Sequence, residues 1–135
     1  MLEELNVGFV AFSPLANGLL SDSYKKGERF QASDYRSVMP QYQDDKFDEN
    51  AELLTLIRAL AADHDATPAQ ISLAWMICKK PYIVPIPGSR KAGRILENGK
   101  AADIVLSADE VSAIDERLDN MKMSEVFGGS AVKAD

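Results

Sequence analysis

The 135 residues contain one cysteine, Cys78, and one histidine, His64. An intrachain disulfide framework is therefore excluded, and a zinc site is not expected. No apolar run approaches the ~20 residues that cross a bilayer, and the amino terminus has no basic-then-apolar leader pattern. No membrane partner is expected, and the expected setting is cytoplasmic. Positive charge is also short, with 15 Lys and Arg against 21 Asp and Glu, a net −6. Broad nucleic-acid binding needs a positive face and is not expected here. The length allows one domain of ordinary size.

Against that acidity, "PIPGSRKAGRILENGK" (Pro85–Lys100) stands out. From Lys79 to Lys100 six basic residues face a single acid, Glu97, whereas the rest of the chain holds nine basic and twenty acidic residues. A local inversion of sign suggests an anion site; a solvated helix face is the alternative. The run has no interleaved aromatics, which again argues against nucleic acid.

Two short apolar stretches read as strands. "VGFVAF" (Val7–Phe12) ends at "SPLANG", where Pro14 and Gly18 break regular structure, and "YIVPI" (Tyr82–Ile86) follows Pro81. All-apolar strands belong in a parallel sheet covered on both faces. Between them, Ser21–Asn50 has no clean period and reads as a long loop with one helical turn at most. Asn50 is expected to cap a helix carrying Leu53, Leu56, Ile57 and Leu60 on one stripe, ended by "DHDA". Thr67, Pro68 and Gln70 make a capping box for a second, largely buried helix with Ile71, Ala74, Trp75 and Cys78 inward. Ser89 is the expected N-cap of a third helix, through Arg94, Ile95 and Asn98. "ADIVL" reads as an extended connector. Ser107 and Glu110 open a last helix with Val111, Ile114 and Leu118 inward. Residues 1–121 form the expected unit, and 122–135, with its "GGS", the expected flexible tail. The order is α/β with parallel strands.

Both strands end in corners suited to phosphate, since ligands of parallel α/β folds sit at the carboxyl ends of strands. After Ile86, Gly88 lets backbone approach, Ser89 offers a hydroxyl, and Arg90, Lys91 and Arg94 supply charge beside a helix N-terminus. The first corner, "SPLANGLL", offers Ser13 and the N–H groups around Gly18–Leu20.

On these residues the chain resembles the carboxyl-terminal portion of the aldo/keto reductases over nearly its whole length. "GFVAFSPLANGLL" is similar to that family's seventh barrel strand and cofactor loop. "TPAQISLAWMICKKPYIVPIPGSRK" is similar to its seventh helix, eighth strand and phosphate loop. The most specific spacing is in "SRKAGRILEN": Ser, Arg five later, then Glu-Asn three and four beyond. The resemblance implies a partial TIM (β/α)8 barrel of about two parallel strands and four helices. It also implies NADP(H), with Ser89, Arg90 and Arg94 on the adenosine 2′-phosphate and Glu97 and Asn98 on the adenine or its ribose. Ser13, Leu15, Gly18 and Leu20 would line the pyrophosphate, and Phe12 would form the shelf under the nicotinamide. TIM barrels commonly place a phosphate site after strands seven and eight. Three departures are visible. Gly88 replaces a Lys of several branches, so that Arg90 would substitute for it. Phe12 replaces a commoner Tyr, and Gly99 a β-branched residue, which leaves that helix end free to fray.

By the same resemblance the proton-donor Tyr and its Asp, Lys and His partners belong to earlier strands, so no catalytic residue is assigned. His64 is expected to be solvated, Tyr24, Tyr35, Tyr42 and Tyr82 lack a suitably spaced Lys and Asp, and "DDKFDE" (Asp44–Glu49) reads as a solvated acidic loop. Cys78 reads as a small core residue. The first functional expectation is a truncated aldo/keto reductase, inactive alone, whose relatives reduce carbonyls with NADPH. A non-enzymatic fragment that forms a homo-oligomer or pairs with an amino-terminal barrel half is the second, and a bare NADP-binding module the third.

Overall fold

The structure, a computed structural model, describes residues 1–121, apart from the side chain of Asp45. The expected tail lies outside the described residues. Strands β1 (Phe9–Ala11) and β2 (Ile83–Pro85) form a two-stranded parallel sheet, with Phe9 opposite Ile83, Val10 opposite Val84 and Ala11 opposite Pro85. Each is shorter than the apolar stretch that encodes it. Expected burial on both faces is not met by these residues alone: Val10 is 60% and Val84 56% exposed.

Helices α1 (Asp44–Glu49), α2 (Ala51–Asp63), α3 (Pro68–Lys79), α4 (Ala92–Gly99) and α5 (Ala108–Asn120) complete the fold, with short 3₁₀ turns between several of them. The main core is the stripe of α2 (Leu53, Ile57, Leu60) closed against Ile71 and Ala74 of α3 and Ile114 of α5. The α3 and α5 capping boxes form as their spacing predicts. Thr67 Oγ1 accepts from the Gln70 N–H at 3.3 Å while Gln70 Oε1 accepts from the Thr67 N–H at 2.9 Å. Ser107 and Glu110 reciprocate at 3.2 and 2.7 Å. Each box satisfies two N–H groups that a helix N-terminus otherwise leaves unpaired.

The segment read as a long loop is folded. The 3₁₀ turns Ala16–Ser21, Tyr35–Val38 and Pro40–Tyr42 lead into α1, and Leu19, Met39, Tyr42, Phe47 and Leu54 close a second core beneath them. "DDKFDE" is thus a helix and not a loop, because burying Phe47 fixes its register. Asn50 does not cap α2 with its side chain. Its Nδ2 instead donates to the Lys46 carbonyl at 2.7 Å, and its backbone stays helical between the two helices. Gly99 does not end in a frayed terminus: a 3₁₀ turn, Lys100–Asp103, continues from it and buries Ala101, taking up Ala102 and Asp103 of the expected extended connector. No described helix is long and apolar enough to cross a membrane.

His64 is not simply solvated. Its Nε2 lies 2.7 Å from Glu110 Oε1, which ties the end of α2 to the start of α5. The Ser107 backbone N–H, then the His64 and Ser107 side chains, hold the Glu110 carboxyl below its ordinary 4.5. Asp22 is likewise held below 3.8, by the Arg58 guanidinium that donates to both its oxygens at 2.7 and 2.6 Å. A carboxylate with a depressed folded pKa contributes stability above its unfolded pKa and loses it as pH falls through the folded one. The unfolding midpoint is therefore expected to drop once pH enters the carboxylate range and passes below it. Glu110→Gln, which can still accept from the Ser107 N–H, should flatten part of that drop. Thermal unfolding against pH checks this, and parallel curves for the two proteins would overturn it.

Candidate functional site

At the second corner the chain turns after β2, and Ser89 Oγ accepts from the Lys91 N–H at 3.1 Å. This hydroxyl-to-backbone turn competes with a helix cap. As a result Lys91, in extended backbone, is the N-cap of α4, and the helix starts two residues later than Ser89 would have started it. Arg94 occupies the third helical position. The far wall is pinned to α3: Glu97 Oε1 accepts from Thr67 Oγ1 at 3.1 Å, and the Glu97 carbonyl accepts from Gln70 Nε2 at 2.8 Å. The α3 capping box therefore also sets where α4 lies.

At the first corner the backbone coils through positive φ at Ser13, Ala16, Asn17 and Gly18. The N–H groups of Gly18 and Leu20 both donate to the Leu15 carbonyl, at 2.8 and 3.3 Å, so neither is available to an anion as the sequence suggested. Gly18, at φ +105°, is required twice over. A Cβ there would lie 2.7 Å from Cε2 of Tyr24 in addition to the backbone strain.

The two corners face one cavity of about 600 Å³. Phe12, Ser13, Leu15 and Gly18 line it from the first corner, and Gly88, Ser89, Arg94, Glu97 and Asn98 from the second. Leu20 and Arg90 do not. Leu20 is half-buried between the two cores, and Arg90 lines a neighbouring cleft against Asp34 and Tyr35. Tyr24 and Arg36 are among the lining residues that were not anticipated. Both sit in a segment without hydrophobic period, so no sequence pattern points them inward. The sole local hint is Asp34, whose side chain accepts from the Arg36 N–H at 3.0 Å.

Tyr24 and Tyr42 are engaged structurally. Burial pushes the Tyr42 phenol up to about 12, and its hydroxyl donates to the Asn17 carbonyl at 3.1 Å. An acid so weak is poorly matched to proton transfer near neutral pH. Tyr24 accepts from Arg36. Cys78 is half-buried with Sγ 3.7 Å from the Ile104 carbonyl, as suits a small packing residue.

The profile described as "Aldo/keto reductase family" matches residues 1–119. The aldo-keto reductase str7 of Strobilurus tenacellus is 37% identical over 111 residues, which are 82% of this chain and 33% of that protein. The aldo-keto reductase yakc [NADP(+)] of Schizosaccharomyces pombe (strain 972 / ATCC 24843) is 38% identical over 125 residues, 93% of this chain and 36% of that one. Among solved structures, a thermostable aldo-keto reductase, Tm1743, solved with the inhibitor epalrestat, superposes with a TM-score of 0.60 at 28% identity, covering 86% of this chain and 31% of that one. The glycerol dehydrogenase AKR11B4 of Gluconobacter oxydans gives 0.78 at 22% identity over 93% and 39%. The chain thus spans about a third of the length of the curated relatives it matches. The paired parallel strands and the helices around them are those of part of a TIM barrel, and the chain belongs to the aldo/keto reductase family.

Proposed function

We propose that residues 1–121 are the carboxyl-terminal portion of an aldo/keto reductase barrel and carry its NADP(H)-binding end. One observation carries this reading. Residues from two corners about seventy positions apart line a single cavity that has an arginine at its rim. The donor set suits a nucleotide phosphate. Arg94 offers a guanidinium fork beside the start of α4, and charge-assisted donors of this kind bind phosphate strongly. At Gly88 the space a Cβ would occupy is open, with no protein atom beyond the adjoining residues within 4 Å, so a ligand can approach the backbone. Phe12, 64% exposed at the cavity, supplies a flat apolar surface for a ring. Ser89 and Arg94 would hold the 2′-phosphate, Asn98 the adenosine, and Ser13 and Leu15 the diphosphate side, with Gly18 forming wall there and donating nothing to the ligand. Leu20 and Arg90 would act from behind this lining, Leu20 by packing and Arg90 from the adjacent cleft. The chemistry the cofactor supplies when bound is hydride transfer to a carbonyl carbon. The chain's own residues bind and orient it, and we assign none of them a proton transfer. Calorimetric titration with NADPH and NADH tests the reading: tighter binding of NADPH supports it, and no binding of either removes it.

A second reading is favoured by the exposed sheet. Phe9, Val10, Val84 and Ile86 are 45 to 60% exposed, and each strand has one open edge among the described residues. Open edges with apolar faces template further strands. These would come from the rest of a barrel or from a second copy. The 135-residue chain alone is expected to sediment as a dimer or larger; a monodisperse monomer with sharp cooperative melting would exclude self-association.

A further inference from the structure

We propose that Thr67, which does not itself line the cavity, is a positioning residue for its adenosine end: its hydroxyl turns the Glu97 carboxylate so that one fixed oxygen is offered to the purine. The inference rests on the NADP(H) reading and adds to it a residue outside the cavity that decides which base is taken. The capping box at the start of α3 is bonded in two directions. Toward α3 it uses acceptors, with Thr67 Oγ1 taking the Gln70 N–H at 3.3 Å and Gln70 Oε1 taking the Thr67 N–H at 2.9 Å. Toward α4 it uses donors, with the Thr67 hydroxyl on Glu97 Oε1 at 3.1 Å and Gln70 Nε2 on the Glu97 carbonyl at 2.8 Å. A box needs only its acceptors to cap a helix. Both donors go to a single residue of another element.

A carboxylate turns easily about its last torsion, which is broad rather than divided into sharp wells. The two oxygens of an untethered Glu97 would therefore exchange places. Here Gln70, itself only 7% exposed, holds the backbone, and Thr67 holds Oε1. No described group hydrogen-bonds Oε2, which leaves that oxygen for a ligand in the cavity that Glu97 lines beside Asn98. Ala69, in the same first turn of α3, lines the cavity as well, so the box stands directly behind this wall. An oxygen fixed in place and able only to accept favours a base that presents a donor. Adenine presents its exocyclic amine; hypoxanthine has a carbonyl oxygen at the same position, which would set acceptor against acceptor.

Calorimetry on the full chain compares NADPH with its hypoxanthine analogue, deamino-NADPH. Wild type is expected to bind NADPH about tenfold tighter, the worth of one charge-assisted hydrogen bond. Thr67→Gly removes the hydroxyl, yet glycine caps a helix about as well as threonine. Its urea midpoint should therefore stay near that of wild type, while the preference for NADPH falls to about threefold or less. Thr67→Ser keeps both bonds of the hydroxyl and should restore the preference. In Glu97→Ala the preference should already be absent, and adding Thr67→Gly should change it no further. A preference that survives either Thr67→Gly or Glu97→Ala overturns the proposal. So does an equal weakening of the two ligands in Thr67→Gly, or a loss of its folding; either makes the box a structural tie alone. If wild type binds NADPH more tightly than NADH but does not distinguish the two bases, the NADP(H) reading stands and this inference alone fails. If wild type binds none of the three, both fail.

Discussion

Arg94→Ala should weaken NADPH binding by about ten- to hundredfold and leave NADH nearly untouched. A hydrogen bond to a charged group contributes roughly 1.5–3 kcal/mol, and 1.4 kcal/mol is a factor of ten. Arg94 is exposed at the cavity rim, where water competes, so the lower end of that range is the better expectation. Its place at the third position of α4 sets it beside the Ser89 turn and over the helix N-terminus, where an anion is already favoured. Lys100 stands at the other end of α4, and Lys100→Ala should change neither ligand. Calorimetry with both ligands decides it. Equal losses for NADPH and NADH would make Arg94 a general phosphate contact, and no loss would return the basic run to a solvated helix face.

Ile71→Ala should remove about 2–5 kcal/mol of unfolding free energy. Ile71 is 0% exposed and packs with Ile57, Ala74, Leu106 and Ile114, so the deleted methylenes leave a cavity bounded by three helices. A domain of this size is stabilised by only about 5–15 kcal/mol in total, so the loss takes a large share of it. Leu96→Ala, at a site 72% exposed, should change stability by less than about 0.5 kcal/mol. Urea unfolding of both variants measures the contrast. The effect reaches the site as well, because α3 carries the Thr67–Gln70 box that holds Glu97 and hence α4. A loss below about 1 kcal/mol at Ile71 would mean that the core around α3 relaxes into the space.

The sequence by itself determined what is decided within one helical turn or along one strand. Thr67 and Gln70, and Ser107 and Glu110, are three residues apart, so their boxes follow from spacing alone. The α2 stripe follows from the 3.6-residue period, and the pairing of two all-apolar strands follows from their pattern. Candidate cofactor residues were legible through local motifs, and nine of them turned out to share a cavity. Only the tertiary structure decided the rest, because those choices are settled by groups distant in the chain. Ser89 had two local hydrogen-bonding options, a helix cap or a turn, between which spacing alone does not choose, and the structure has the turn. His64 meets Glu110 across 46 positions, and Tyr42 meets Asn17 across 25. Residues 22–43 have no period to give them a register. Phe30, Met39 and Tyr42 acquire one only by packing on a core contributed by Leu19, Phe47 and Leu54, and that packing is what turns Tyr24 and Arg36 toward the cavity.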